Sequence, residues 1–141
     1  MKKIILLIIL ICCNNIIAQE LTCLDFKTGT FYIYASETAP INVKIDRGLD
    51  TQIEYLLNYT EIKTQELKEK TFEKIQWIDD CTFRVIYDDS KMELDEFGKF
   101  VNSNNGLINK LISIEGKCAI YESSLVHDGK MEKFNMTICK E

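Results

Sequence analysis

The sequence predicts an all-β fold, in which about eight strands form an antiparallel meander that closes as a barrel or half-barrel, with one short helix near 91–101. Apolar and polar residues alternate in most segments, which is typical of strands with one buried face. Asp-Gly and Gly-Lys pairs stand between such segments and favour two-residue hairpin turns. Because short turns join neighbouring segments, successive strands are expected to pair antiparallel.

The first residues have the layout of a secretory signal peptide. Two lysines precede an unbroken apolar run over 4–13, and Ala18 is the small residue after which cleavage is expected. The run is shorter than the about 20 residues that cross a bilayer, which disfavours a retained anchor. Lipoprotein anchoring at Cys12 or Cys13 is a less favoured alternative to a signal peptide over 1–18, and the expected location is secreted or periplasmic.

The remaining segment, 19–141, is expected to be a single β domain without a membrane span. Without the two signal-peptide lysines, the 17 basic side chains of the sequence become 15 against 22 acidic ones, a net charge of −7. Phosphate backbones and anionic lipid surfaces repel such a domain, so nucleic acid is not an expected partner.

Four cysteines remain after the signal peptide, namely Cys23, Cys81, Cys118 and Cys139. An even number in an exported domain predicts two disulfides, with three possible connectivities. No two of the four form a C-x-x-C pair and the sequence has a single histidine, which disfavours a zinc site. No metal or cofactor is therefore expected.

Five segments between Cys23 and the predicted helix have strand character. FYIY at 31–34 is aromatic and β-branched, and four later segments alternate with period two. The polar stretch 61–71 is expected to be a long hairpin, because no helical apolar face develops in it. The apolar faces expected for the alternating segments are Ile41, Val43 and Ile45; Ile53, Tyr55 and Leu57; Ile75 and Trp77; and Phe83, Val85 and Tyr87.

The segment SKMELDEFGKFV is the one predicted helix, of about three turns. Ser90 is followed three residues later by Glu93, a spacing at which each side chain can satisfy the other's free backbone N–H. The NSNNG turn at 102–106 ends the helix. Its expected apolar face is Leu94, Phe97 and Val101.

Turn geometry fixes the registers of the last strands. A two-residue turn at Asp128-Gly129 sets Cys118 opposite Cys139 and keeps one continuous apolar face. A second turn at Gly116-Lys117 extends this face to a third strand and sets Ile112 opposite Tyr121.

The preceding hairpin needs a three-residue loop over 79–81, because only that loop sets Trp77 opposite Phe83. Cys81 then lies at the same end of the sheet as Cys23. The registers therefore predict the disulfides Cys23–Cys81 and Cys118–Cys139.

Two stretches carry a family resemblance: CLDFKTGTF at 23–31 and WIDDCTF at 77–83. They resemble the C-x-D-F-K-x-G-x-F and W-I-x-D-C-x-[FY] motifs of small, uncharacterised, signal-bearing proteins of Bacteroidota, some of which carry a topoisomerase IV label. A short, acidic, exported chain without a nucleotide-binding loop does not support that activity. Gly29-x-Phe31 is also similar to the G-x-W start of lipocalins, and this resemblance implies a lipocalin-like barrel.

No catalytic constellation emerges, so an enzyme is not expected. His127 lies near Ser123 and Ser124 in sequence, but it flanks a turn and no G-x-S-x-G setting surrounds either serine. The acidic pairs at 79–80 and 88–89 lack the spacing of a calcium loop and are expected to be solvated turns.

The predicted function is an exported small binding domain of unknown specificity that holds a small apolar ligand in the barrel. The alternative is a solid-core protein–protein interaction domain of the cell envelope or medium, acting through an exposed edge or the 61–71 stretch, whose aromatic residues simply fill the core. The aromatic residues predicted to line the ligand site are Phe31, Tyr55, Trp77, Phe83, Tyr87, Tyr121 and Phe134.

Overall fold

The computed structural model describes residues 20–36, 41–57 and 69–141, and they form one antiparallel β-barrel. Each strand pairs with the next in sequence, and the first strand pairs with the last. The predicted signal peptide and most of the predicted 61–71 hairpin lie outside the described residues. The elements are a 3₁₀ helix (Cys23–Phe26), β1 (Gly29–Ile33), β2 (Asn42–Arg47), β3 (Thr51–Leu57), β4 (Glu69–Trp77), β5 (Thr82–Tyr87), α1 (Glu96–Ser103), β6 (Leu107–Glu115), β7 (Cys118–His127) and β8 (Lys130–Lys140).

The prediction of an all-β meander of eight strands with one short α-helix is confirmed, and the barrel is closed. Within the described part of the chain, no helix is long and apolar enough to cross a membrane.

The two ends of the barrel are built differently. The turns 48–50, 78–81 and 116–117 lie at one end, which the 3₁₀ helix covers by burying Phe26 completely. We call this the plugged end. The opposite end contains the turn 128–129 and the connection that carries α1, and we call it the cleft end.

The apolar core fills the half of the barrel next to the 3₁₀ helix. Phe26 stacks on Phe31 with 5.7 Å between ring centroids, and Phe83 meets Tyr121 edge-on at 5.4 Å. Fully burying a large apolar side chain contributes about 1.5–3 kcal/mol, so this cluster is the main stabilising element of the fold. Its members are Phe26, Phe31, Ile45, Ile75, Phe83, Val85, Ala119, Tyr121 and Ile138.

Both predicted disulfides are present, and both lie at the plugged end. Cys23 is joined to Cys81 across 5.2 Å between Cα atoms, which ties the 3₁₀ helix to the β4–β5 turn. Cys118 is joined to Cys139 across 3.9 Å, next to the β6–β7 turn. Disulfides persist in oxidising compartments, so this pairing fits an extracellular or periplasmic location.

The register predicted for the last hairpin is confirmed over its whole length. His127 pairs with Lys130, and the same alignment continues to the Cys118/Cys139 pair. Asp128 and Gly129 have φ values of 50° and 72°, as the two central residues of a type I′ turn require. The three-residue loop 79–81 is also confirmed, since β4 and β5 pair in the register it implies.

The register predicted for β6 is wrong beyond its first pair. Ile114 does face Ala119 as expected, but a bulge between Leu111 and Ser113 makes Leu111, and not Ile112, the partner of Tyr121. An inserted residue sends the following side chains to the opposite face of a strand. Ile112 is therefore 55% exposed, while Leu111 packs against the core.

The inner face predicted for β3 is wrong for Tyr55, although Leu57 at the end of the strand is buried as expected. The buried side chain at the start of the strand is Gln52, which pairs with buried Arg47. Tyr55 lies on the other face, where its ring contacts the Lys44 and Lys70 ammonium groups at 5.3 Å and 5.5 Å. The apolar residues of β3 misled the prediction, because this strand turns polar side chains toward the barrel interior.

The helix begins five residues later than predicted and has about two turns. Gly98 N–H donates to the Asp95 carboxylate at 2.7 Å, so Asp95 is the N-cap. The Ser90 hydroxyl instead donates to the Asp88 carboxylate at 2.6 Å. Val101 is buried as expected, but Phe97 is 55% exposed.

Candidate functional site

A buried arginine forms the floor of the barrel interior. Arg47 is only 5% exposed, and its Nη1 donates to the Phe26 carbonyl at 3.1 Å. The guanidinium carbon lies 4.4 Å from the Phe83 ring centroid and 5.4 Å from that of Phe31. Arginine is suited to this place because its planar cation stacks on rings while it donates several hydrogen bonds.

A glutamine connects this arginine to two carboxyl groups. Arg47 Nε donates to Gln52 Oε1 at 2.6 Å. Gln52 Nε2 in turn donates to Glu54 Oε1 at 2.8 Å and to Glu73 Oε2 at 2.7 Å. We call Arg47, Gln52, Glu54 and Glu73 the interior network. It crosses β2, β3 and β4 and leads from the plugged end toward the cleft end.

The two carboxyl groups compete for one cation. Burial raises the pKa of Glu73 well above its ordinary value, and the nearby Glu54 raises it further. Burial likewise raises the pKa of Glu54, against the opposing effect of the Arg47 charge. Two acids beside one guanidinium thus favour a state in which the pair retains a proton.

A cleft of about 320 Å³ opens at the cleft end, between β4, β5 and the segment that leads into α1. Thr71 and Tyr87 line it, and they pair directly with Glu54 and Glu73 respectively. Directly paired residues on neighbouring strands point to the same face. The cleft therefore lies next to the interior network. Its full lining is Lys70, Thr71, Tyr87, Met92, Glu93, Leu94, Asp95, Phe97 and Gly98.

Tyr87 lies between the cleft and the interior network, since it lines the cleft and pairs with Glu73. Burial raises the pKa of its hydroxyl, and the charges of Glu73, Glu54 and Asp95 raise it further. Carboxylates in the barrel interior and at the N-cap of α1 thus both act on the Tyr87 hydroxyl. The cleft is an acidic environment on both sides of this ring.

The opposite wall of the barrel has a small polar pair of its own. The Ser123 hydroxyl donates to Asn109 Oδ1 at 2.6 Å, and both side chains are fully buried. His127 instead packs edge-on against Phe100 at 4.7 Å between ring centroids. The pairing with Asn109 gives Ser123 a structural role.

The aromatic residues predicted to line a ligand occupy three different environments. Four lie in the apolar core or pack against it, two are exposed or on the outer face of the barrel, and one lines the cleft. Phe31, Phe83 and Tyr121 are in the core; Trp77 packs against Phe83 with its ring tilted and donates its N–H to the Leu49 carbonyl; Tyr55 is on the outer face; Phe134 is 51% exposed; Tyr87 lines the cleft.

The sequence prediction missed the interior network, although part of it was recognisable. In INVKIDR the alternation of Val43 and Ile45 continues to Arg47, which places the arginine on the buried face. In EKIQW the same rule places Glu73 beside Ile75. In β3 alternation gives the wrong signal, because the apolar residues Ile53, Tyr55 and Leu57 share the face opposite to Gln52 and Glu54.

Comparisons of the chain with protein-family models, with curated proteins and with solved structures found no match. The lipocalin and Bacteroidota likenesses thus remain resemblances of short motifs. Among the described residues, no group of three or more histidine, cysteine or acidic side chains is arranged to hold a metal ion.

Proposed function

We propose that this chain is an exported binding domain that holds a small, partly apolar molecule in the cleft at the cleft end of the barrel. The observation that carries the proposal is the cleft itself, about 320 Å³ in volume, with Thr71 and Tyr87 connecting it to the interior network. Ligand sites typically combine an apolar lining with a few converging polar groups.

The position of the site follows from the packing of the rest of the interior. The plugged half is occupied by its own side chains, with Phe31 and Phe83 fully buried and Tyr121 almost so. Space for a ligand lies instead where Met92, Leu94 and Phe97 give an apolar wall. The proposed site thus shares only Tyr87 with the aromatic set that the sequence predicts.

Binding fits the interior network better than catalysis. Its polar groups are engaged with one another, as the Gln52 amide shows by bridging Arg47 to both carboxyl groups. A fixed, hydrogen-bonded network orients a bound molecule. The two disulfides suit a protein that performs this role outside the cytosol.

A tryptophan substitution in the cleft tests the proposed site. Thr71→Trp fills the space above Glu54, whereas Thr137→Trp adds the same side chain to an exposed position on β8. Uptake of the neutral dye Nile red, followed by fluorescence, should weaken by at least about tenfold for Thr71→Trp and remain unchanged for Thr137→Trp. Native mass spectrometry of freshly purified protein provides an independent readout.

Two results would contradict the proposal. A wild-type protein that shows only its apo mass and takes up no dye is not a small-molecule binder. Equal dye binding by the two tryptophan variants places the site elsewhere.

A surface groove favours the second candidate function, recognition of another protein. The groove has a volume of about 350 Å³, and the exposed side chains of Val126 and Met131 contribute to it. Exposed apolar surface of this kind often marks a protein interface. Val126→Lys with Met131→Lys should abolish capture of a partner from periplasm or medium, and capture that survives both changes argues against this groove. Its full lining is Asn104, Asn105, Gly106, Ile108, Ser124, Leu125, Val126 and Met131.

A further inference from the structure

We propose that the molecule held in the cleft is a small organic cation, an amine or quaternary ammonium with an apolar tail, whose charge lies beside Tyr87 above Glu54 and Glu73. This inference rests on the proposed function and adds the chemical class of the ligand. Its basis is the cleft and the side chains that surround it.

The first argument is the balance of charge around the cleft. Glu93 and Asp95 line it, and Glu54 and Glu73 lie next to its floor. Among the described residues of the cleft lining and the interior network, these four acids are accompanied by two cations, Lys70 and Arg47. Arg47 is fixed deeper in the barrel by the Phe26 carbonyl and by two aromatic rings.

The second cation, Lys70, lines the cleft, but its ammonium group extends toward the outer face of the barrel. Its Nζ lies 5.5 Å from the ring centroid of Tyr55, which is on the outer face of the barrel. Lys70 thus contributes to the rim of the cleft without neutralising its interior. A positively charged ligand would balance the excess of acidic side chains around the cleft.

The second argument is the aromatic wall of the cleft. Tyr87 and Phe97 meet edge-on with 6.4 Å between ring centroids. Ring faces attract organic cations, and aromatic residues are a common recognition element for quaternary ammonium groups. Met92 and Leu94 lie beside these rings and provide apolar contacts for a tail. The cleft thus offers separate places for a charge and for a hydrocarbon chain.

Binding of such a cation is coupled to a proton. Without ligand, burial and the competing charge of Glu54 raise the pKa of Glu73, which favours its protonated form. An arriving ammonium favours the ionised carboxylate, so the proton leaves Glu73 for solvent while the ligand keeps its own charge. The charged and titratable groups that face Glu73 are Arg47 on β2, Glu54 on β3, Tyr87 on β5 and, through Tyr87, Asp95 before α1.

Three detergents with the same octyl tail test the charge preference at concentrations at which they are monomeric. Octyltrimethylammonium should bind, octyl glucoside should bind about tenfold or more weakly, and octyl sulfate should show no binding by calorimetry. Amide shifts in NMR spectra should concentrate at Thr71, Tyr87 and Gly98. The affinity for octyltrimethylammonium should rise as pH increases from the ordinary carboxyl pKa of about 4.5 through the raised pKa of Glu73, because the proton competes with the ligand.

Two substitutions and a control connect the effect to the carboxyl groups. Glu73→Gln and Glu54→Gln keep the shape and the hydrogen bond from Gln52, and each should weaken octyltrimethylammonium binding about tenfold to a hundredfold. Each should leave octyl glucoside binding unchanged. Glu115→Gln, at the exposed end of β6, removes the same charge far from the cleft and should have no effect.

The outcomes separate this inference from the proposed function. If octyl glucoside binds as tightly as the cation, or octyl sulfate binds more tightly, the site exists and the cation preference is wrong. If none of the three binds, both proposals fail. If Glu115→Gln weakens binding as much as Glu73→Gln, the effect is one of net charge and the assignment to Glu73 is wrong.

Discussion

The plugged end and the cleft end of this barrel differ in how they are held together. At the plugged end, both disulfides, the completely buried Phe26 and the bond from Arg47 to the Phe26 carbonyl join the 3₁₀ helix to several strands. Lys27 adds an ion pair with Asp80 at 2.8 Å. Covalent and buried contacts therefore concentrate where the barrel has no space.

The cleft end relies on polar contacts near the surface. α1 begins at the Asp95 cap and is joined to β5 by Asn102, which donates to the Tyr87 carbonyl at 2.9 Å. Elements that bind ligands are usually drawn from the less stable part of a protein. If the proposed function is right, stability and binding belong to opposite ends of one barrel.

The largest expected effect comes from reducing the disulfides. On the loop-entropy model, Cys23–Cys81 contributes about 4.2 kcal/mol and Cys118–Cys139 about 3.4 kcal/mol. Together these approach the whole stability of a typical domain, about 5–15 kcal/mol. We expect excess reductant to lower the free energy of unfolding, measured in urea, by about 7.6 kcal/mol.

The two disulfides can be compared in separate variants. Cys23→Ser with Cys81→Ser should cost more than Cys118→Ser with Cys139→Ser, because it opens the longer loop. In hydrogen exchange, the first pair should lower the protection of Phe31 more than that of the β7–β8 hairpin. Equal loss of protection at Phe31 and in the β7–β8 hairpin would contradict this expectation.

The next largest effect should come from Arg47→Met. The change leaves the Phe26 carbonyl and Gln52 without their buried partner, and breaking a buried charge network costs about 3–5 kcal/mol. The protein contains one other arginine, Arg84, which makes a 3.3 Å bond to exposed Gln76. Arg84→Met is thus the matched control and should cost less than about 1 kcal/mol in the same urea titration. If Arg47→Met and Arg84→Met lower the free energy of unfolding equally, the hydrogen bonds of Arg47 do not stabilise the barrel and the apolar core alone does so.

The smallest effect is a gain in stability. Because the folded state raises the pKa of Glu73, it binds that proton more tightly than the unfolded chain. The free energy of unfolding should therefore fall as pH rises from about 4.5, the ordinary value, through the folded-state pKa. Glu73→Gln removes this loss and should stabilise the protein by about 1 kcal/mol or more at pH values above that range.

Urea unfolding measured across pH checks the expected gain. The advantage of Glu73→Gln should vanish near the ordinary carboxyl pKa, where Glu73 is protonated in both states. Glu115→Gln should follow the wild-type curve. A variant that is equally stabilised at every pH owes its gain to packing, not to the removed charge.

The sequence predicted the plugged end better than the cleft end for physical reasons. Short turns fix register, so Asp128-Gly129 and the loop 79–81 determined which cysteines face each other. The bulge at Ile112 has no comparable signal, because an extra residue in a strand leaves the local composition unchanged.

The candidate site was hardest to predict because its polar residues lie where alternation leads one to expect apolar ones. Glu54 and Gln52 face the interior, whereas Tyr55 faces out. Gln52 and Glu54 can be buried because Arg47 on β2 and Glu73 on β4 complete their hydrogen-bond network. These contacts join parts of the sequence that are far apart. The helix cap shows the same limit: Ser90 had the right spacing, but Asp95 is the residue that lies at the start of α1.

The seam between β1 and β8 has a consequence for the order in which the barrel can form. Its two residue pairs join Phe31 to Lys140 and Tyr32 to Cys139, more than a hundred positions apart in sequence, whereas every other strand pair is local. As the chain emerges during synthesis, the hairpins and the Cys23–Cys81 bond can form first, leaving an open sheet with two free edges. Circularisation must wait for the last residues, and until then Phe31 lacks its final neighbour. This interval is when the nascent chain is most exposed to strand exchange with other chains.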